Sequence, residues 1–281
     1  MKKKIAIMGA GGKMGCRISD NLKDNPAYDV YHVEVSDAGI ARLKERGFSV
    51  VPQAEALDRA DVVILAVPDV LIGRITHEIV PMLASGTMLL SLDPAAAYAE
   101  VMPVRDDLVY FVAHPSHPTM FNDEVEPVAQ QDYFGGIAKQ SAMCALYHGP
   151  EESYVIGERL AREIYAPVKR TFRVTVEQMA ILEPALVETF SSTLIEAMKE
   201  AFDEVVKMGV PQDAALDFFM GHARIQFAVL FGFADFKFSD GALLAMRQAR
   251  DKIFKSDWKE NIFNLESIRK SVESITQAIK K

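Results

Sequence analysis

Two hydrophobic periods divide the chain. Short β-branched runs, "KIAIM", "VYHVEV", "DVVILAV", "TMLLSL" and "LVYFVA", recur through residues 1–173 with helix-like stretches between them. Such runs separated by helical patterns predict βαβ units and a doubly wound, parallel α/β sheet. A strand-like "QSAMCALYHG", a helix over 150–164 and a short run "VKRTFRV" close this part. From residue 174 the period becomes helical throughout. "TVEQMAILEPALVETFSSTLIEAMKEAFDEVVKMG" reads as one long helix, opened by a capping box of Thr175 and Gln178 and closed by Gly209 at C′, with Pro211 following. Pro184 lies inside it and should kink it. Further helices are predicted from Pro211 to Gly232, from Asp240 to Phe254, and through a terminal stripe of Leu265, Ile268, Val272, Ile275 and Ile279. The expected organisation is an α/β domain over 1–173 and an all-α domain over 174–281.

Composition narrows the class. Of 281 residues, 49% are apolar and 25% charged, as in ordinary globular proteins, and the net charge of −8 comes with no Lys/Arg-rich patch. Nucleic acid is therefore not an expected partner. No apolar run reaches the roughly 18 residues that a membrane span needs. The opening "MKKKIAIMGAGG" has too few apolar residues before its glycines for a signal peptide, and its lysines read as the lead-in to a strand. Cys16 and Cys144 offer neither a disulfide framework nor metal-ligand spacing and should be core residues. A cytoplasmic enzyme is expected.

The first chemical signal follows the first strand. "IAIMGAGGKMG" places Gly9, Ala10, Gly11, Gly12, Lys13, Met14 and Gly15 where a strand turns into a helix. The first glycine permits the tight turn, the second allows close approach to a pyrophosphate, and the third lets helix and strand pack closely; free N–H groups at the helix start meet the phosphates. The spacing GxGxxxG is one residue longer than the common form. "VYHVEV" then offers Glu34, nineteen positions after Gly15, to accept hydrogen bonds from the adenosine ribose and repel a 2′-phosphate. The strand "DVVILAV" runs into Ala66, Val67, Pro68 and Asp69, a small-residue turn beside which the other half of the dinucleotide would pass. These features predict a Rossmann-type domain that binds NAD rather than NADP.

With "GAGGKMG", Glu34, "AVPD" and the switch to a helical half, the chain resembles the β-hydroxyacid and 6-phosphogluconate dehydrogenase superfamily. The resemblance implies a 6-phosphogluconate-dehydrogenase-like C-terminal domain that supplies the substrate pocket and a dimer interface. "HP" after "LVYFVA" is similar to the His-Pro of prephenate dehydrogenases, and "FDEVVKMGVPQDAALDFFM" to the helical half of ketol-acid reductoisomerases. The superfamily's catalytic lysine and asparagine are absent: residues 176–198 contain neither, and Lys199 is far down the helix. Its serine loop is replaced by "SLDPAAA". Within the superfamily the chain most resembles the D-apionate oxidoisomerase group. Those enzymes couple oxidation of a sugar acid to a carbon shift, in which a metal bridging the new ketone and a neighbouring tertiary alcohol would favour the shift.

Some other group must then handle the substrate hydroxyl. Of six histidines, His114 and His117 share the stretch "AHPSHPTMF", at the sheet edge that lines the ligand crevice. The long helix should bring Glu183 and Glu188 to the same crevice. An imidazole and a carboxylate can together hold Zn²⁺ or another divalent ion, which would take over from the missing lysine. His117 and Glu188 are the expected catalytic pair and metal ligands, with His114 supporting. The ordinary reading is that loop histidines are solvated and helix glutamates face water; "LVETFSSTL" around Glu188 argues instead for a buried face. His222, Arg224 and Gln226 lie in an apolar helix, where Arg224 could grip a substrate carboxylate or serve a subunit contact; Lys139 and Gln140 in "GGIAKQ" have no evident role.

The expected function is NAD-dependent oxidation of a small polyhydroxy acid, joined to a metal-assisted carbon shift. A simple β-hydroxyacid or prephenate-type dehydrogenase stands beside it, as does, from another class, an NAD(H)-sensing regulator without catalysis. The long, Phe- and Met-rich helical half, too extended to bury all its apolar faces, predicts a homodimer.

Overall fold

The structure, a computed structural model, describes residues 2–277; Ile279 of the terminal stripe lies outside them. The chain forms two compact units, one running up to Leu182 and taking in the chain from Arg269 onwards, the other spanning Glu183–Ile268.

The first unit is built on a seven-stranded sheet in the order β2-β1-β3-β4-β5-β6-β7. The strands are β1 (Lys3–Met8), β2 (Tyr28–Val33), β3 (Val62–Leu65), β4 (Met88–Ser91), β5 (Val109–Pro115), β6 (Gln140–His148) and β7 (Val168–Arg173). β1 to β5 are parallel, as their buried β-branched runs predict. The parallel expectation fails at β6, which runs antiparallel to β5, with β7 parallel to β6. The cause is the connection: a parallel return needs a crossover, usually a helix, and between β5 and β6 the chain forms only the single turn α6 (Pro127–Gln130).

Helices α1 (Lys13–Leu22), α2 (Asp37–Glu45), α3 (Gln53–Leu57), α4 (Asp69–Ile79), α5 (Ala95–Tyr98) and α7 (Ser153–Ile164) join the strands. Ile5, Ile7, Ile64, Leu90, Phe111, Cys144 and Tyr165 are buried in one core. Cys16 is buried too, and burial pushes the Cys144 thiol up to about 12, so both cysteines are core residues as expected. Strand order reverses at β1, whose two neighbours are β2 and β3. The carboxyl edge there is where open α/β sheets bind ligands.

The long helix begins at α8 (Val176–Ala180), where Thr175 and Gln178 make the predicted capping box. Pro184 does not break it. Residues Ile181–Ser191 widen into π turns before α9 (Ser192–Lys207) resumes the α form. A proline has no N–H to give, so the ladder of backbone hydrogen bonds is interrupted there. The hydroxyls of Thr189 and Ser192 donate five residues back, to the carbonyls of Pro184 and Val187, at 2.6 and 3.0 Å. Gly209 closes the helix at φ +100°. α10 (Gln212–Leu230), α11 (Asp240–Ile253), α12 (Trp258–Ile262) and α13 (Leu265–Gln277) follow. The first unit therefore extends past 173, and the end of α13 belongs to it: Val272 is fully buried and the Arg269 guanidinium lies over the Tyr98 ring.

Candidate active site

The turn after β1 forms a cradle. Gly9 has φ +77°, and a Cβ there would come within 2.5 Å of the Ala66 carbonyl oxygen. The N–H groups of Gly9 and Ala10 both donate to the Val33 carbonyl, which pins the turn between β1 and β2. α1 starts after Gly12 with no side chain capping it, so its first N–H groups, at Lys13, Met14 and Gly15, are left for an anion. A Cβ on Gly15 would collide with the Gly9 carbonyl, so glycine is what lets α1 lie this close to β1.

Glu34 stands at the end of β2 and ties the cradle together. Oε2 accepts from Gly11 N–H at 3.0 Å; Oε1 accepts from the N–H groups of Val35 and Ser36 and from Ser36 Oγ, each at 2.9 Å. Partial burial pushes its pKa up, but these four hydrogen bonds outweigh it and hold the carboxyl below its ordinary value. Arg42 Nε donates to the Gly11 carbonyl at 2.7 Å. Ala66, Val67 and Pro68 connect β3 to α4 across the turn, with Pro68 as the N-cap.

A second polar cluster sits at the ends of β4 and β5. Asp93 follows β4; its Oδ1 accepts from Ala95 N–H at 2.7 Å, and Ser91 Oγ donates to its carbonyl at 2.9 Å. His114 ends β5, half-buried, with Nδ1 at 2.8 Å from the Leu92 carbonyl and 4.0 Å from Asp93 Oδ2. A carbonyl only accepts, so Nδ1 carries the hydrogen and the lone pair of the neutral ring is on Nε2. Asp69, at the start of α4, feels the same charges: burial first, then Asp93, pushes its carboxyl up to about 6, with His114 pulling the other way.

Glu183, three residues beyond α8 on the same helix, completes a group with Asp93 and His114: each offers one ligand atom, all within 4.8 Å of one another. Two carboxylates and an imidazole whose Nδ1–H is already held by a carbonyl form a donor set for a divalent ion with positions left open. Half-buried carboxyls crowding one another favour a bound cation.

The expected ligands and the observed group differ. Among the described residues the group contains His114 and Glu183; His117 and Glu188 are not in it. Glu188 is exposed rather than on a buried face, as are its neighbours Leu186 and Val187, and Glu183 is half-buried. His117 is exposed, at φ +58°, with Nδ1 at 2.9 Å from the Phe134 carbonyl. Asp93 was missed, although an acid directly after a strand at the carboxyl edge was the available signal. Arg224 is exposed; His222 stacks on Phe218 at 4.0 Å and lines an apolar groove with Gln226. Gln140 is buried and donates to the Tyr165 carbonyl, a structural role; Lys139 is exposed.

Residues 122–276 match the family described as phosphogluconate dehydrogenase (decarboxylating), C-terminal, and residues 1–124 the NADPH-binding domain of acetohydroxy acid isomeroreductase. A D-apionate oxidoisomerase of Cupriavidus necator is 51% identical over 98% of this chain and 100% of its own length. One of Rhizobium rhizogenes is 51% identical over 97% of this chain and 99% of its own. A solved Cupriavidus necator structure, described as a semialdehyde dehydrogenase NAD-binding protein in complex with calcium and NAD, superimposes with a TM-score of 0.95 at 50% identity. It covers 98% of this chain and 100% of its own.

Proposed function

This chain belongs to the D-apionate oxidoisomerase family, and from that premise we propose that it oxidises D-apionate with NAD and isomerises its carbon skeleton in a divalent-ion-dependent step. The observation that carries the reading is the group Asp93, His114 and Glu183 at the carboxyl edge of the same sheet whose β1 turn forms the dinucleotide cradle. A sensor without chemistry has no use for such a group, and a simple dehydrogenase does not require it.

Each part has its residues. Gly9–Gly15 and the open start of α1 hold the pyrophosphate, Glu34 faces the adenosine ribose, and Ala66–Pro68 border the path of the dinucleotide. Asp93, His114 and Glu183 would hold the ion. When bound, NAD supplies the hydride acceptor, and the divalent ion supplies Lewis acidity at neighbouring substrate oxygens. His117 takes the proton of the reacting hydroxyl: its Nδ1 is engaged by a carbonyl, so Nε2 is the accepting atom. A sugar acid fits a site built from polar groups at a strand edge. The calcium of the solved relative is an oxygen-seeking ion, matched by the two carboxylates, whereas the imidazole donor suits Zn²⁺ better. We place the enzyme in the cytoplasm as a homodimer.

The test is turnover of D-apionate with NAD, read by NADH absorbance and by 13C NMR of the product skeleton, before and after chelation. NADH formation with a rearranged skeleton is expected, lost on chelation and in His114→Ala and restored to the wild type by a divalent ion. Oxidation without rearrangement leaves a simple dehydrogenase. Undiminished turnover in chelator removes the ion.

A further inference from the structure

The segment "QQDYFGGIAKQ" between α6 and β6 touches the site described above through the Phe134 carbonyl on His117, and it is closed by a dense set of its own hydrogen bonds. One carboxylate organises it. Asp132 Oδ1 accepts from the N–H groups of Phe134 and Gly135 at 3.3 and 2.8 Å, and Oδ2 from those of Ile137 and Ala138 at 2.8 and 3.0 Å. Gly135 and Gly136, at φ +95° and +133°, supply the backbone that lets four N–H groups converge on one side chain. Burial acts to raise the Asp132 pKa, and these N–H groups overcome it and leave the carboxyl below its ordinary value.

The loop so closed presents Phe134 in two directions. Its carbonyl accepts from His117 Nδ1 at 2.9 Å and from Arg17 Nη1 at 3.4 Å. Its ring lies 5.3 Å from the His117 ring, and Lys13 Nζ stands 3.5 Å over it. Lys13 is the first residue of α1, the cofactor helix. Arg17, one turn on, donates from Nη2 to the Tyr165 carbonyl at 3.0 Å, and the Tyr165 hydroxyl donates to the carbonyl of Ala113, next to His114, at 2.6 Å. His117 itself is in the left-handed region, φ +58°, uncommon for a residue with a side chain though histidine takes it more readily than most. The Phe134 carbonyl holds its ring there. Because it can only accept, it places the ring hydrogen on Nδ1 and the lone pair on Nε2.

We propose that Asp132 is a positioning residue for the reaction: it folds the loop whose Phe134 carbonyl fixes the tautomer and orientation of His117. The proposal rests on the assignment of His117 as proton acceptor. Both Asp132 oxygens are engaged by backbone N–H groups of its own loop. The residue acts through the carbonyl, and Lys13 and Arg17 join the same loop to the helix that carries the dinucleotide.

The experiment combines turnover of Asp132→Asn, His117→Ala and the double variant with 15N NMR of the histidine-labelled protein. Asn keeps the shape of Asp132 but turns one acceptor oxygen into a donor facing two N–H groups. Turnover of Asp132→Asn should fall roughly tenfold or more, the scale of lost orientation at a reacting group. In the His117→Ala background the same substitution should change turnover less than about twofold, since residues acting as a unit do not add. The His117 ring should report the Nδ1–H form in the wild type and a mixture of forms in Asp132→Asn, while Phe134→Leu, which keeps the carbonyl, retains the wild-type form. An undiminished effect of Asp132→Asn without His117, or an unchanged His117 tautomer in that variant, overturns the proposal. Wild-type turnover in His117→Ala sinks the assignment of His117 instead, and the NMR comparison then decides the positioning separately. Should Asp132→Asn not fold, Asp132→Ser, short enough to accept from the nearer N–H groups as turn serines do, carries the same comparison.

Discussion

At the scale of single residues, the cofactor preference rests on Glu34. Its carboxylate is anchored by four hydrogen bonds within its own loop and held below its ordinary pKa, so it is ionised at neutral pH. A 2′-phosphate brought to the end of β2 meets that charge, and like charges so placed disfavour the wrong ligand strongly. NAD should bind at least about tenfold more tightly than NADP, a difference of about 1.4 kcal/mol, and Glu34→Ser should narrow the gap in fluorescence titrations. Equal affinities in the wild type would count against it. The same bonds give a pH dependence. A lowered folded pKa means stability that is present above the ordinary value and is lost as pH falls through the folded one. Glu34→Ser should therefore flatten the acid limb of the unfolding midpoint against pH. The glycine turn and the place of Glu34 at the end of β2, bonded to Gly11, were legible in the sequence because both depend on position along the chain. The choice between His114 and His117 was not. Both histidines precede prolines, and stiffness alone does not distinguish them. What does is that β5 runs on to Pro115, leaving His114 on a strand beside Asp93, while His117 falls in the turn beyond.

Elements decide how close those residues come. α1 must lie against β1 for its first N–H groups to reach a phosphate beside Gly9, and Gly15 is the contact. In Gly15→Ala the new methyl would press on the Gly9 carbonyl and on Ala10, whose Cα and carbonyl carbon would each lie only 2.6 Å from it. Overpacking of this kind costs about 1–3 kcal/mol. Urea unfolding should show that loss, and NAD should bind at least roughly tenfold more weakly; a variant with wild-type stability and affinity would show that α1 can retreat freely. Strand order, by contrast, was only half legible. β-Branched runs announce strands but not their direction, and "QSAMCALYHG" looks the same either way. Its antiparallel pairing with β5 follows from the missing crossover helix in residues 116–139, a tertiary consequence of the Asp132 loop and of α6 being one turn long. Pro184 marked in the sequence where the regular helix is interrupted, and Ile181–Ser191 run in π turns around it; the form of that interruption was not legible, since a proline removes an N–H whatever turn follows.

For the whole molecule the open question is what covers the helical unit. α9, α11 and α12 bury no residue, and α10 buries only Ala215. Phe218, Phe231 and Ile253 are each about 70% exposed, among many other large apolar side chains of the Glu183–Ile268 unit. Monomeric proteins rarely expose apolar patches beyond a few hundred Å². Among the described residues no helix is long and apolar enough to cross a membrane. A second copy of the chain would cover these faces, since self-association would place the same apolar faces against one another, a stable interface taking about 800 Å² from each partner. The enzyme should therefore run in light scattering as a particle of twice the 31.2 kDa chain mass at micromolar concentration. Phe218→Asp, which puts a charge into the exposed apolar face of α10, should shift the mass toward one chain and lower the unfolding temperature, because the protomer then carries its uncovered face into water. A single-chain mass for the wild type across the micromolar range would mean that these helices are covered by something other than a second copy.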